Sequence, residues 1–134
     1  MIGKWTRETN GQGLYEITDE VRRQVARAKI DQGLCTLFIR HTSASLVIQE
    51  NADPSARRDL ENWMIRHVEE DDPLYTHTAE GPDDMPSHIK AALTQTSIGI
   101  PIDDGDLVLG TWQGIFLWEH RTAPKRRDLV VHIQ

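Results

Sequence analysis

Everything from Ser97 onward reads as strand and turn, so whatever helices the chain has must be grouped ahead of that point. Ser97 to Ile102 and Leu107 to Leu109 flank Asp103, Asp104 and Gly105. That triplet is hairpin chemistry, because glycine tolerates the positive φ of a tight turn. Ile115 to Glu119 and Leu129 to Ile133 extend the pattern into an expected antiparallel meander.

Upstream, two short strands are expected around Trp5 and over Leu14 to Ile17, separated by the turn residues Asn10, Gly11 and Gly13. Thr18 reads as the N-cap of a helix with Asp19 and Glu20 in its first turn and Val21, Val25 and Ala28 on one face, ending before Gly33. Leu34 to Arg40 is apolar and partly β-branched, hence a strand, with Leu46 to Ile48 as its continuation or partner. Asp53 and Pro54 are a cap and first-turn pair for a helix of about four turns striped by Leu60, Met64 and Val68. Asp72 and Pro73 close it. A third helix is expected from Pro86 to Leu93 with Ile89, Ala92 and Leu93 facing the core. Grouped helices rather than strict alternation with strands give the α+β class.

At 134 residues the chain suits a single domain. No repeat, low-complexity segment or linker divides it. A formal net charge of -6 argues against general nucleic-acid binding, which needs clustered cations; the short basic run is Lys125, Arg126 and Arg127. The one cysteine, Cys35, lies in an apolar run and reads as a buried, inert thiol. No apolar h-region opens the chain and no stretch has membrane-spanning length, so a cytoplasmic protein with no membrane partner is expected.

Five polar positions look arranged for one site: His41 after a strand, His77, Glu80 and His88 in one segment, and Glu119 near the end. Tyr75 to Lys90 reads YTHTAEGPDDMPSHIK, a mixture of imidazole, carboxylate and turn residues that neither a core nor a solvated loop requires. Imidazole and carboxylate are the usual metal ligands and the usual acid/base groups near neutral pH. His41, His77 and His88 match no standard zinc spacing, yet together they would make a facial site with open positions for water or substrate. Glu80, Asp83 and Asp84 could serve it as general base or as orienting carboxylates, while capping of the third helix is the competing role for Asp83 and Asp84. In HTSAS, a Ser43 nucleophile activated by His41 is disfavoured because nothing resembles a strained nucleophile elbow. In GTWQGIFLWEHR, alternation puts Trp112, Phe116 and Trp118 on one face and Gln113, Ile115, Leu117 and Glu119 on the other. The aromatic stripe reads as core or interface. His67 and His132 read as structural or surface residues.

The motifs HTSASL, ENADP, YTHTAEGPDDMPSHIK, GTWQGIFLWEHR and the pair Arg126, Arg127 together resemble the YjbQ family, also labelled secondary thiamine-phosphate synthase, over almost the whole chain. The resemblance implies a folded antiparallel sheet or sandwich with helices packed outside, assembled as a homotrimer. It also implies a pocket where His41, His77 and His88 converge as metal ligands, with Glu119 and Asp83 carried over beside them. Asp84 and His120 stand where many members have other residues, and both are left out of the ligand set. The family's label records a weak coupling of a pyrimidine diphosphate to a thiazole phosphate, which suggests a side activity. Three imidazoles favour Zn, Mn or Fe over Mg, which prefers oxygen-rich sites. The expected function is therefore a metal-dependent enzyme acting on a small phosphorylated molecule, with Glu119, Glu80 and Asp83 catalytic. Ser43, Gln113, Arg126 and Arg127 would contact substrate, the arginines as a phosphate-sized basic patch. A non-catalytic metal- or anion-binding trimeric module is the alternative.

Overall fold

The computed structural model describes residues 1–134. Its elements run β1 (Ile2–Asn10), β2 (Gly13–Glu16), α1 (Thr18–Ala28), β3 (Gly33–Ile39), β4 (Ala44–Glu50), α2 (Pro54–His67), α3 (Asp84–Leu93), β5 (Ser97–Asp103), β6 (Asp106–Leu107), β7 (Gln113–Glu119) and β8 (Pro124–Ile133). The strands form two antiparallel sheets, a five-stranded one ordered β1-β8-β3-β5-β6 and a three-stranded one ordered β2-β7-β4. No helix is long and apolar enough to cross a membrane.

The late strands are therefore not a meander. Only β5 and β6 form the expected hairpin, turning at Asp104 (φ 52°) and Gly105 (φ 76°). β7 leaves for the second sheet, and β8 returns to the first between β1 and β3. The cause lies in β7, where every residue from Gly114 to Glu119 is buried. Such a strand needs cover on both faces, whereas a meander on a single sheet leaves one face to water. Ile115 and Leu117 join the core between the sheets, with Leu37, Ile39, Ile98, Ile100, Leu129 and Val131 opposite and Val21 and Val25 of α1 packed in. Phe116 and Trp118 point the other way and pack with Leu14 against Met64 and Val68 of the α2 segment. Cys35 sits in the main core, where burial pushes its thiol up to about 11. It is inert, as its apolar setting suggested.

Two helix details depart from expectation. Thr18 is the first residue of α1 rather than its cap: its hydroxyl donates to Glu16 and accepts from the N–H of Ile115, tying the helix start to β7. In α3 the buried residues are Asp84, Pro86, Ser87, Lys90 and Ala91, while Ala92 and Leu93 are exposed. The helix is rotated because Asp84 and Ser87 have partners inside, Asp84 with Arg121 and Ser87 with the Asp84 carbonyl. By contrast, Asp53 caps α2 as expected, its carboxylate accepting from the N–H of Ser55, with Pro54 in the first turn.

The outer face of the five-stranded sheet carries Ile2, Leu34, Phe38 and Val130, of which Ile2, Leu34 and Phe38 are exposed. Phe38 pairs with Val130 and Leu34 with Pro101, while Lys4, Thr36 and His132 stand among them on the same face.

Candidate metal centre

Asp84 and His88 are four residues apart on α3, a spacing that stacks two side chains on one helix face. His77 reaches the same place from the preceding loop, which turns at Gly81 (φ 104°) before the helix begins. The result is a cluster in which Asp84 Oδ2 lies 2.7 Å from His77 Nε2 and 3.1 Å from His88 Nε2. All three ligand atoms lie within 4.8 Å of one another. Asp84 is buried, whereas the His77 side chain is 51% exposed, so the cluster opens to solvent on the imidazole side.

The protonation of His88 is constrained by its other nitrogen. Nδ1 lies 2.8 Å from the carbonyl oxygen of Thr42, and a carbonyl only accepts, so Nδ1 carries the hydrogen. In the neutral ring Nε2 then presents a lone pair toward a carboxylate oxygen. Two acceptors at that distance repel unless a proton or a metal ion sits between them. A backbone carbonyl holding the far nitrogen of an imidazole is the usual support of a metal-binding histidine.

Arg121 fixes the carboxylate from behind. Its Nη1 donates to Asp84 Oδ1 at 2.8 Å, its Nε to Asp83 Oδ2 at 2.9 Å, and its Nη2 to the Glu80 carbonyl at 3.0 Å. Burial alone would raise the Asp84 carboxyl, but the hydrogen bond from His77 and the charges of His88 and Arg121 bring it below the usual range. Asp83 is likewise opposed by burial, yet its bonds from Arg121 and from Thr122 N–H and Oγ1 hold it down at about 2. So acidic a group, with its lone pairs engaged, is a poor general base. Neither aspartate caps α3 with its side chain; Asp83 stands at the cap position without a capping bond.

The other expected residues are distributed as follows. His41 shares the wall of a cavity with Thr42 and His88, but its Nε2 accepts the N–H of Asp128 at 2.7 Å and it is not among the clustered ligands. Glu80 is exposed beside the cluster. Glu119 is fully buried elsewhere: Oε1 accepts from Thr9 Oγ1 at 2.5 Å and Arg127 Nε at 2.8 Å, and Oε2 from Arg127 Nη2 and the N–H of Arg121. Arg127 is buried too, and its Nη2 also donates to Ser43 Oγ and O. These three residues are a closed structural network, not a surface phosphate patch. Arg126, next on β8, points outward and is exposed. Gln113 is at the far end of β7, where its Oε1 accepts from the N–H of Gly110.

Sequence reasoning set Asp84 aside and overlooked Arg121 and the Thr42 carbonyl. The four-residue spacing of Asp84 and His88 carried the signal for the first; nothing local announces the other two, which arrive from the loops after β7 and β3.

A two-sheet α+β domain carrying a solvent-open cluster of two histidines and an aspartate is the class of protein this geometry defines. The family model YjbQ, described as UPF0047 protein YjbQ-like, matches residues 4–134, and the chain belongs to that family. A UPF0047 protein of Synechocystis sp. is 51% identical over 125 residues, covering 93% of this chain and 85% of that protein. The UPF0047 protein YjbQ of Escherichia coli is 42% identical over 130 residues, covering 96% and 94%. Among solved structures, a yjbq/upf0047 family protein from Clostridium acetobutylicum superposes with a TM-score of 0.90 at 34% identity, covering 98% of this chain and 99% of that one.

Proposed function

We propose that the chain is a metal-dependent enzyme acting on a small phosphorylated molecule, with His77, Asp84 and His88 holding the ion. The observation that carries this reading is His88, whose Nδ1 is committed to the Thr42 carbonyl while its Nε2 faces the Asp84 carboxylate. Two imidazoles and one carboxylate with open positions suit Zn, Mn or Fe(II) rather than Mg, and leave room for a substrate oxygen. A bound divalent ion supplies Lewis-acid chemistry at such a site. The chain's own contribution is orientation: Arg121 holds Asp84, Thr42 holds His88, and exposed Glu80 beside them is the carboxylate free to move a proton. Thiamine-phosphate coupling is proposed as a secondary activity.

Metal content of protein purified without a polyhistidine tag should approach one ion per chain and fall to background in His77→Ala and His88→Ala. Phosphate release or transfer from a panel of phosphorylated small molecules should fall with it. Metal loss with undiminished turnover would sink the catalytic reading.

We further propose assembly as a homotrimer, which the exposed Ile2, Leu34 and Phe38 on the outer face of the five-stranded sheet favour. If metal loss dissociates the assembly and no turnover is found, the module is architectural. The cytoplasm is the compartment proposed, on the unpaired, inert Cys35.

A further inference from the structure

Further along α3, Lys90 belongs to a second arrangement that the metal reading does not use. Lys90 is only 3% exposed, and its ammonium makes no hydrogen bond or ion pair within the chain. It lines a cavity of about 250 Å³ enclosed by α2, β7 and the turn before β2. His120, 1% exposed, lies in the same wall with Nε2 placed 2.9 Å from Ser45 Oγ, leaving Nδ1 without a partner in the chain. Exposed Arg58 stands at the cavity, and Met64, Ile65 and Trp118 give it an apolar side.

The stem of Lys90 is buried but its ammonium keeps contact with solvent in the cavity, so an anion entering there meets a cation to which no carboxylate is bonded. Of the two carboxylates that line the cavity, Glu119 is neutralised by Arg127, while Glu61 accepts the N–H of Leu14 through Oε2 and makes no ion pair with Lys90. Gly13 is needed for that last contact, since a Cβ there would lie 2.5 Å from Glu61 Oε2. Glu70 and Asp83 act on Lys90 only through space, and burial prevails over them in lowering it.

We propose that this cavity is a binding site for the oxyanion group of a small organic molecule, a phosphate or a carboxylate, held by Lys90 and Arg58 with its apolar part against Met64, Ile65 and Trp118. The volume suits a compact metabolite-sized ligand, below the range of drug-sized pockets. The site does not rest on the metal reading, because its residues lie outside the metal cluster.

The test is thermal stability of the full chain, at fixed ionic strength in chloride, titrated separately with inorganic phosphate, phenyl phosphate, acetate and benzoate. Saturable stabilisation by several degrees is expected from at least one phosphate or carboxylate, stronger for the aromatic member of the pair. The phosphate and carboxylate arms tell the two sources apart. Lys90→Met should weaken apparent affinity tenfold or more and Arg58→Ala severalfold. Arg58→Ala, exposed and free of packing demands, keeps the test decisive if Lys90→Met fails to fold. Stabilisation that is identical in wild type and Arg58→Ala, or no saturable response to any of the four anions, overturns the proposal.

Discussion

Asp84 joins both imidazoles of the cluster to Arg121, and this sets what its replacement should do. Asp84→Asn keeps the shape but removes the charge that two imidazoles and Arg121 share, so metal affinity should fall by well over tenfold; Arg121→Met, which releases Asp84 together with Asp83 and the Glu80 carbonyl, should cost about 10- to 100-fold. Isothermal titration of the metal-stripped proteins reads both, and equal affinity in all three would refute the assignment. Glu119→Gln belongs to a different category. It breaks a buried ion pair with Arg127, and a loss of roughly 3–5 kcal/mol in urea unfolding is expected because Arg127 is left uncompensated. His120 sets a pH dependence. Burial, then the charges of Lys90 and Arg127, hold it down at about 3, whereas in the unfolded chain it titrates near 6.5. Below pH 6.5 the unfolded state therefore binds the extra proton and stability falls as pH falls, by about 2–3 kcal/mol on reaching pH 4.5. In His120→Gln that part of the fall should vanish; an equal drop in both proteins would show that His120 is not the group responsible.

At the scale of elements, β7 organises the molecule by being buried on both faces, and β3 shows how tightly the sheets are closed. A Cβ on Gly33, at the start of β3, would lie 2.2 Å from the carbonyl oxygen of Gln134, which is backbone and cannot swing aside. Gly99 on neighbouring β5 would meet nothing closer than 3.7 Å. Gly33→Ala should thus destabilise by about 1–3 kcal/mol, and Gly99→Ala should be close to neutral, the pair being compared by denaturant midpoint at equal slope. α3 illustrates the reverse of a simple amphipathic helix. Its buried stripe is Asp84, Ser87, Lys90 and Ala91 while Leu93 is 63% exposed, so the apolar period misplaces its inward face.

For the whole molecule, the five-stranded sheet buries one face against the core and leaves Ile2, Leu34 and Phe38 on the other. Exposed apolar bands of this kind mark association surfaces. Phe38→Glu should therefore lower the sedimentation coefficient from that of a trimer to that of a monomer at micromolar concentration, with the fold retained by circular dichroism. A wild-type protein that sediments as a stable monomer would remove the trimer proposal altogether.

Local chemistry determined the features that act within a few residues: the Asp53-Pro54 helix start, the Asp104-Gly105 hairpin, the inert Cys35, and the concentration of ligand chemistry between His77 and His88. The order of the elements carried the α+β class, and the family motifs, which are also sequence, carried the arrangement of a folded sheet with helices outside. Tertiary structure alone decided which strands pair, because β7 and β8 resemble one another in apolar content and only packing on both faces of β7 assigns them to different sheets. It also decided which charges meet. Glu119 and Arg127 neutralise one another across the gap between strands, Arg121 crosses from the loop after β7 to Asp83 and Asp84, and His41 spends its Nε2 on a backbone N–H of β8. Such pairings depend on which side chains are driven out of water together, a property of the packed molecule that no residue spacing encodes.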